Sequence, residues 1–207
     1  NTEYNFFVVS SYGKIIPQAV LDIPKLGTLN VHPSLLPKYR GASPIESQIL
    51  NNESNIGVSI IILDSEMDHG PILASQEITI DKIEDKKYSK LSKTLASEGG
   101  KLLCDVIPKF VSREITGENQ DHSKATFTKK ITKTDGEIKL NDNALTNYLK
   151  FLVFDTWPET YFFATKGGAN IRVKIKDAEL QNDTFVIKKV VPEGGKEMSF
   201  DDFKRGV

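Results

Sequence analysis

The segment GTLNVHPSLLP, residues 27–37, is the most informative part of the sequence about the fold, because a strand-like run ends abruptly inside it. Residues 27–32 have the composition of a β-strand. Pro33 and Pro37 then remove backbone N–H donors, and a chain that carries them in this way leaves a sheet. The sequence therefore predicts a strand whose carboxyl end lies at His32.

Strands and helices alternate on both sides of this segment. Further predicted strands cover residues 5–12, 56–63 and 72–80, and predicted helices cover 17–21, 43–50 and 91–110. The strands are rich in apolar and β-branched residues, and the helices begin at Ser or Pro or place Leu at helical spacing. This order predicts an α/β fold with a doubly wound, Rossmann-like parallel sheet, which binds ligands outside the carboxyl ends of its strands.

Patterning divides the chain into three parts. Residues 1–111 carry the α/β pattern, 112–124 are polar and suit a linker, and 125–207 combine a helix with several short strands. The third part predicts a small α+β or barrel module. The strand at 5–12 is apolar enough for the middle of a sheet. We therefore expect the first domain to lack its amino-terminal part, as a fragment or a processed product would.

Composition excludes several classes of protein. The 207 residues include 27 Lys and Arg against 28 Asp and Glu, a net charge of −1, so no strongly acidic or basic surface is expected. No run approaches about 18 apolar residues, so no membrane span is expected. No His or Cys cluster has the spacing of a metal site, so no metal is expected. The single cysteine, Cys104, lies in an apolar helical stretch and is expected to be buried.

Two segments place polar side chains at one edge of the predicted sheet. Side chains alternate along a strand, so Asn30 and His32 share one face while Val31 turns into the core. Asp68, in the loop after the strand at 56–63, can meet them there. Asn30 can stabilise an oxyanion, and Asp68 favours a protonated His32 and helps move a proton, which suits acyl or formyl transfer to an amine. A purely structural Asn-x-His pair is the alternative at this stage.

The order of these motifs resembles the active-site signature of the folate-dependent formyltransferases. The motifs are NVHPSLLP at 30–37 and DSEMDHG at 64–70. The resemblance implies that Asn30, His32 and Asp68 are catalytic and that 10-formyltetrahydrofolate is the formyl donor. It also implies folate contacts at Tyr12, Gly13, Ile15, Ile16, Ser34, Leu35, Leu36, Pro37 and Asp64.

The continuation KYRGASPI, residues 38–45, resembles the members of that family that act on methionyl-tRNA. Arg40 and Gly41 are then implied to bind substrate. The stretches FTKKI, DGEI, TWP and PEGGKEMS, which begin at 127, 135, 156 and 192, resemble landmarks of a small carboxyl-terminal open β-barrel. The implied function is formyl transfer to the α-amine of initiator methionyl-tRNA, in a bacterial cytoplasm or a mitochondrial matrix.

Two alternatives stay open. Formylation of an amino sugar shares the HPSLLP run and a carboxyl-terminal domain. An inactive, truncated form is the other, in which the sheet edge at 5–12 pairs with another chain and gives an oligomer.

Overall fold

The structure, a computed structural model, describes residues 3–206. Contacts divide the chain into two units, one with residues through 85 and 90–130, the other with 86–89 and the residues from 131 onward. The segment 112–124, predicted as a linker, lies in the first unit, where Glu118 forms a β-bridge with Ile72. The domain boundaries at 111 and 125 stay a prediction.

The first part of the chain contains each strand and helix that the sequence predicts, several of them shorter. In chain order the elements are β1 Phe7–Val9, α1 Gln18–Leu21, β2 Thr28–His32, β3 Arg40–Gly41, α2 Pro44–Leu50, β4 Asn55–Ile62, β5 Ile72–Thr79, α3 Tyr88–Val111 and β6 Phe127–Thr128. The strands β3 and β6 were not predicted, and they pair with each other in parallel. Short 3-10 helices at Ile83–Lys86 and His122–Lys124 are further additions.

The main sheet has the order β1-β2-β4-β5. The predicted α/β class is confirmed, but parallel pairing is limited to β1 and β2, because β2 with β4 and β4 with β5 run antiparallel. The connection from β4 to β5 explains part of this difference. It spans only residues 63–71, and a parallel pair needs a crossover of about a dozen residues or more.

The strand β2 divides its side chains between two faces of the sheet. Leu29 and Val31 pack in an apolar cluster with Ile60 and with Val106 of α3. The intervening Asn30 and the terminal His32 therefore point to the opposite face.

Cys104 on α3 is exposed, so the prediction that it is buried is wrong. The apolar residues that cover the sheet are Leu102, Leu103, Val106 and Ile107, and Cys104 falls between them on the outer side of the helix. An apolar stretch of sequence did not reveal which side faced water.

The second unit is built around an antiparallel sheet. Its elements are α4 Ala144–Val153, β7 Tyr161–Lys166, β8 Ala169–Gln181, β9 Thr184–Pro192, β10 Met198–Ser199 and α5 Phe200–Arg205. The strand order is β10-β9-β8-β7, and no pairing among the described residues closes this sheet into a barrel. Gly167 and Gly168 link β7 to β8, and Asn182 and Asp183 link β8 to β9; all four have positive φ, as tight hairpin loops require.

Candidate active site

The strand β2 delivers two buried polar side chains to the face away from α3. Asn30 is 8% exposed and His32 is 4% exposed. Within residues 3–206, the side-chain amide of Asn30 makes no hydrogen bond. The amide nitrogen and oxygen still reach solvent, so the N–H groups are open to a ligand that enters the site.

The loop between β4 and β5 brings Asp68 to His32. The Oδ1 atom of Asp68 lies 3.6 Å from Nδ1 of His32. Its other oxygen, Oδ2, accepts a hydrogen bond of 2.7 Å from the backbone N–H of Gly41. The residue has a φ of 48°, in the left-handed region, which costs backbone energy that these contacts must offset.

The hydrogen on His32 is fixed by a backbone carbonyl. Nε2 lies 3.0 Å from the oxygen of Tyr39, and a carbonyl oxygen only accepts, so Nε2 carries the hydrogen. Burial lowers the pKa of His32 from its ordinary value of 6.5, and the charge of Arg40 acts in the same direction. Asp68 opposes this shift without overcoming it. The sequence predicted only that Asp68 favours protonation of His32; the lowered pKa favours the neutral ring, with Nδ1 on the side of the Asp68 carboxylate.

Tyr39 is held in place from three sides. Its N–H donates to Oγ1 of Thr126 at 2.8 Å, and its hydroxyl donates to Glu53 at 2.6 Å and accepts from Asn51 at 3.0 Å. Burial, helped by Glu53, raises the pKa of the Tyr39 hydroxyl to about 12, so it stays a donor. The φ of this residue is 63°. These bonds stabilise a disfavoured backbone conformation that directs the carbonyl at His32.

Some of the predicted folate residues lie beside a cavity of about 370 Å³ between β1 and α1. Tyr12 and Ile16 line it, whereas Gly13 and Ile15 do not. Val9, which also lines it, is the register partner of Asn30. The cavity therefore adjoins the strand that carries the polar pair, although none of the three predicted catalytic residues lines it.

The turn at Ser34, Leu35, Leu36 and Pro37 is fastened to β4. The Oγ of Ser59 donates to the carbonyl of Ser34 at 2.8 Å and accepts from the N–H of Leu36 at 3.1 Å. The hydroxyl of Ser34 donates to the carbonyl of Lys38 at 2.7 Å. The side chains of Ser34 and Leu36 are buried, while Leu35 and Pro37 are half-buried. A ligand in this region would meet a turn that is already rigid.

Asp64, the last predicted folate contact, is paired inside its own loop. Its Oδ2 lies 2.7 Å from Nδ1 of His69, and its Oδ1 accepts from the N–H of Glu66 at 3.0 Å. His69 stacks on His122, with ring centres 4.0 Å apart. Sequence reasoning gave neither histidine a role, because nothing local links residues 69 and 122.

Arg40 and Gly41 were the predicted substrate contacts, and Arg40 occupies a different environment. It is 3% exposed, and its guanidinium donates to Oε1 of Gln120 at 2.6 and 3.2 Å and to Nδ1 of His122 at 2.9 Å. The guanidinium is therefore engaged by partners within the chain, and substrate contacts of Arg40 and Gly41 stay a prediction. Gln120 and His122 precede β6, whose parallel pairing with β3 keeps this part of the chain close to Arg40. Sequence reasoning missed Gln120 and His122 since two-residue strands leave no pattern.

Residues 3–206 contain neither a cluster of metal-binding side chains nor a helix that could span a membrane. No group of three or more His, Cys, Asp or Glu side chains in this range could hold a metal ion. None of the helices in the same range combines the length and the apolar character that a membrane crossing needs.

Solved structures with the same fold include formyltransferases. A methionyl-tRNA formyltransferase from Clostridium thermocellum superimposes with a TM-score of 0.68 at 17% identity, over 94% of this chain and 78% of that one. An N-formyltransferase from Helicobacter canadensis, in complex with folinic acid and dTDP-3-aminofucose, gives 0.64 at 20% identity, over 82% of this chain and 60% of that one. At such identities these similarities define the fold, which is that of the formyltransferases.

Sequence comparisons are more specific. A family profile described as formyl transferase matches residues 1–107. The methionyl-tRNA formyltransferase of Roseiflexus castenholzii is 33% identical over 97% of this chain and 70% of that protein. That of Helicobacter pylori is 45% identical over 76% of this chain and 50% of its own length. The chain therefore belongs to the formyl transferase family, and its alignments with several curated relatives span about half of their length.

Proposed function

We propose that this chain transfers the formyl group of 10-formyltetrahydrofolate to the α-amine of initiator methionyl-tRNA. The observation that carries the proposal is the free Asn30 amide on the same strand face as the His32–Asp68 pair. A donor for an oxyanion and an acceptor for a proton are the two groups that attack of an amine on a formyl carbon requires.

The proposed chemistry uses these groups in sequence. The amine nitrogen attacks the formyl carbon, and the carbonyl electrons move onto the oxygen, which accepts a hydrogen bond from Asn30. The attacking nitrogen becomes cationic and gives a proton to Nδ1 of His32, where the Asp68 carboxylate stabilises the imidazolium. The intermediate then collapses with cleavage of the bond from carbon to N10 of the folate. N10 receives the proton from His32, and the site returns to its starting state.

The choice of acceptor rests on the sequence relatives. Curated relatives that are 33 to 46% identical to this chain are named methionyl-tRNA formyltransferases. We therefore favour a tRNA acceptor and, since these relatives are bacterial, a reaction in a bacterial cytoplasm; a mitochondrial matrix is the alternative. Amino-sugar formylation is the second candidate. One observation favours it, since a solved structure of this fold was obtained with dTDP-3-aminofucose.

A direct competition between acceptors tests the proposal. The chain is incubated with 10-formyltetrahydrofolate and either methionyl initiator tRNA or a dTDP-linked amino sugar, and formylated product is measured by mass spectrometry. We expect formylmethionine after hydrolysis of the tRNA ester, and no product from uncharged tRNA. Formylation of the sugar alone would replace the proposed acceptor.

Calorimetry with the folate separates binding from transfer in the same material. Binding of 10-formyltetrahydrofolate without transfer to either acceptor would contradict the proposed catalysis. It would instead favour the inactive form that the sequence left open.

A further inference from the structure

Gln120 is a buried side chain that joins two parts of the site. It is 5% exposed and lies in the segment 112–124. Its Oε1 accepts both bonds from Arg40, at 3.2 and 2.6 Å. Its Nε2 donates to the backbone carbonyls of Asp68 at 2.9 Å and of Gly70 at 2.8 Å. Both lone pairs and both hydrogens of the amide are therefore used.

Arg40 fixes which way this amide points. A guanidinium has donors and no acceptor, so only the oxygen of Gln120 can face it. Arg40 cannot turn away easily, because it also donates to His122 and because β3, which carries it, is paired with β6. The NH₂ group of Gln120 is consequently left facing the loop between β4 and β5.

Gln120 bonds the loop between β4 and β5 at a place where its backbone is strained and tightly packed. Asp68 has a φ of 48°, a conformation that residues other than glycine adopt at a cost. A Cβ atom at Gly70 would lie 1.8 Å from the carbonyl oxygen of Ile62, so the loop lies directly on the end of β4 there. Gln120 bonds the carbonyls of Asp68 and Gly70, on either side of His69. Those two bonds fix the backbone from which the Asp68 carboxylate reaches His32.

We propose that Gln120 is a positioning residue that holds the Asp68 carboxylate opposite His32. It acts through the loop backbone, so its catalytic part rests on the proposed function, in which Asp68 stabilises a proton on His32. The competing explanation is that Gln120 serves only to accept hydrogen bonds from a buried Arg40. Substitution of Gln120 by glutamate separates the two, because a carboxylate still accepts from Arg40 and cannot donate to the two carbonyls.

The backbone amide of Gly41 reports directly on the carboxylate, since it donates to Oδ2 of Asp68. In the ¹⁵N-labelled chain, we expect Gln120→Glu to shift the Gly41 proton resonance upfield, towards its position in Asp68→Ala. In the transfer assay, the same variant should lower kcat by about tenfold or more while KM changes little, because a displaced catalytic group slows chemistry more than binding.

Two further variants control this experiment. Asn147→Asp makes the same change from amide to carboxylate at another buried side chain, whose Nδ2 donates to the carbonyl of Lys139 in the second unit. It should leave the Gly41 resonance in place. Gln120→Asn introduces no charge but shortens the side chain by one methylene, so it should shift Gly41 even where Gln120→Glu fails to fold.

The outcomes are distinct. If Gln120→Glu and Gln120→Asn keep the Gly41 resonance and the parental kcat, Gln120 serves Arg40 alone and the proposal is overturned. If the resonance moves in the variants while the parent chain transfers no formyl group, the positioning role stands and the proposed function fails.

Discussion

The two faces of the strand β2 differ in what they contribute. Leu29 and Val31 face α3 and belong to an apolar cluster, with Leu29 fully buried. Asn30 and His32 are nearly as buried, but they lie on the opposite face. There His32 lies beside Asp68, and the amide of Asn30 makes no hydrogen bond within the described residues. Alternate residues of one short strand therefore face the apolar core on one side and the proposed site on the other. Substitutions at neighbouring positions should separate the effects of the two sides.

The largest expected effect on the apolar face is that of Leu29→Ala. Because Leu29 has no exposed surface, truncation leaves a cavity against α3, and the free energy of unfolding should fall by about 2–5 kcal/mol. Urea denaturation measures it. Ile23→Ala, at a side chain that is 54% exposed, is the control and should change the unfolding free energy by less than about 0.5 kcal/mol. Equal effects at the two positions would contradict the assigned core.

Asn30→Ala should show the reverse behaviour. The loss of one oxyanion donor slows turnover roughly a hundredfold or more, equivalent to about 3–4 kcal/mol in the barrier. No hydrogen bond within the described residues is lost, so the unfolding free energy should change far less than in Leu29→Ala. Steady-state kinetics and urea denaturation on the same preparation check both halves. A rate equal to that of the parent would remove Asn30 from the proposed mechanism.

Two adjacent glycines of α3 sharpen the comparison. A Cβ at Gly99 would lie 2.6 Å from Cγ1 of Val31, so Gly99→Ala should push the helix from the strand and cost about 1–3 kcal/mol of unfolding free energy. A Cβ at Gly100 would meet nothing within 4 Å. Gly100→Ala should therefore stabilise the protein by about 0.4–1 kcal/mol. Thermal denaturation of both variants shows whether each substitution raises or lowers the stability. A stabilising Gly99→Ala would show that the contact with Val31 is not tight.

The smallest effect is a pH dependence from the polar face. Burial lowers the pKa of His32 below 6.5 in the folded chain, so the unfolded chain binds this proton first as the pH falls. The contribution of neutral His32 to the free energy of unfolding is fully present above about pH 6.5. It is lost as the pH falls below that value, at no more than about 1.4 kcal/mol per pH unit. His32→Gln removes this titrating group, so the free energy of unfolding of the variant should fall less steeply below about pH 6.5 than that of the parent. Urea denaturation of both proteins between pH 8 and 5 tests this, and parallel curves would argue against a neutral His32.

Local patterns predicted much of the fold. Alternation in β2 placed Val31 in the core and Asn30 with His32 on the other face, and each predicted strand and helix of the first part of the chain is present. The direction of β4 and β5 was beyond such patterns, because an apolar strand looks the same in parallel and antiparallel pairs.

The site was harder to predict than the fold. The motifs predicted a site at Asn30, His32 and Asp68, but they could not give the direction of the pKa shift of His32, which depends on how much water the folded chain excludes. They also gave no indication of Gln120. Its partner Arg40 is distant in sequence, Gln120 itself lies in no strand, and the nearby pairing of β3 with β6 covers only two residues of each strand. Contacts made by so few residues leave no periodicity to read.

The three bonds on Tyr39 have a consequence for protein engineering. A designer who transplants this site to another scaffold would naturally move the ends of β2 and β4 with their loops. Such a graft would carry the imidazole without the Thr126 hydroxyl that holds the Tyr39 backbone. The smallest portable unit therefore includes Thr126, just before β6, since without it the Tyr39 carbonyl that selects the tautomer of the ring loses a support.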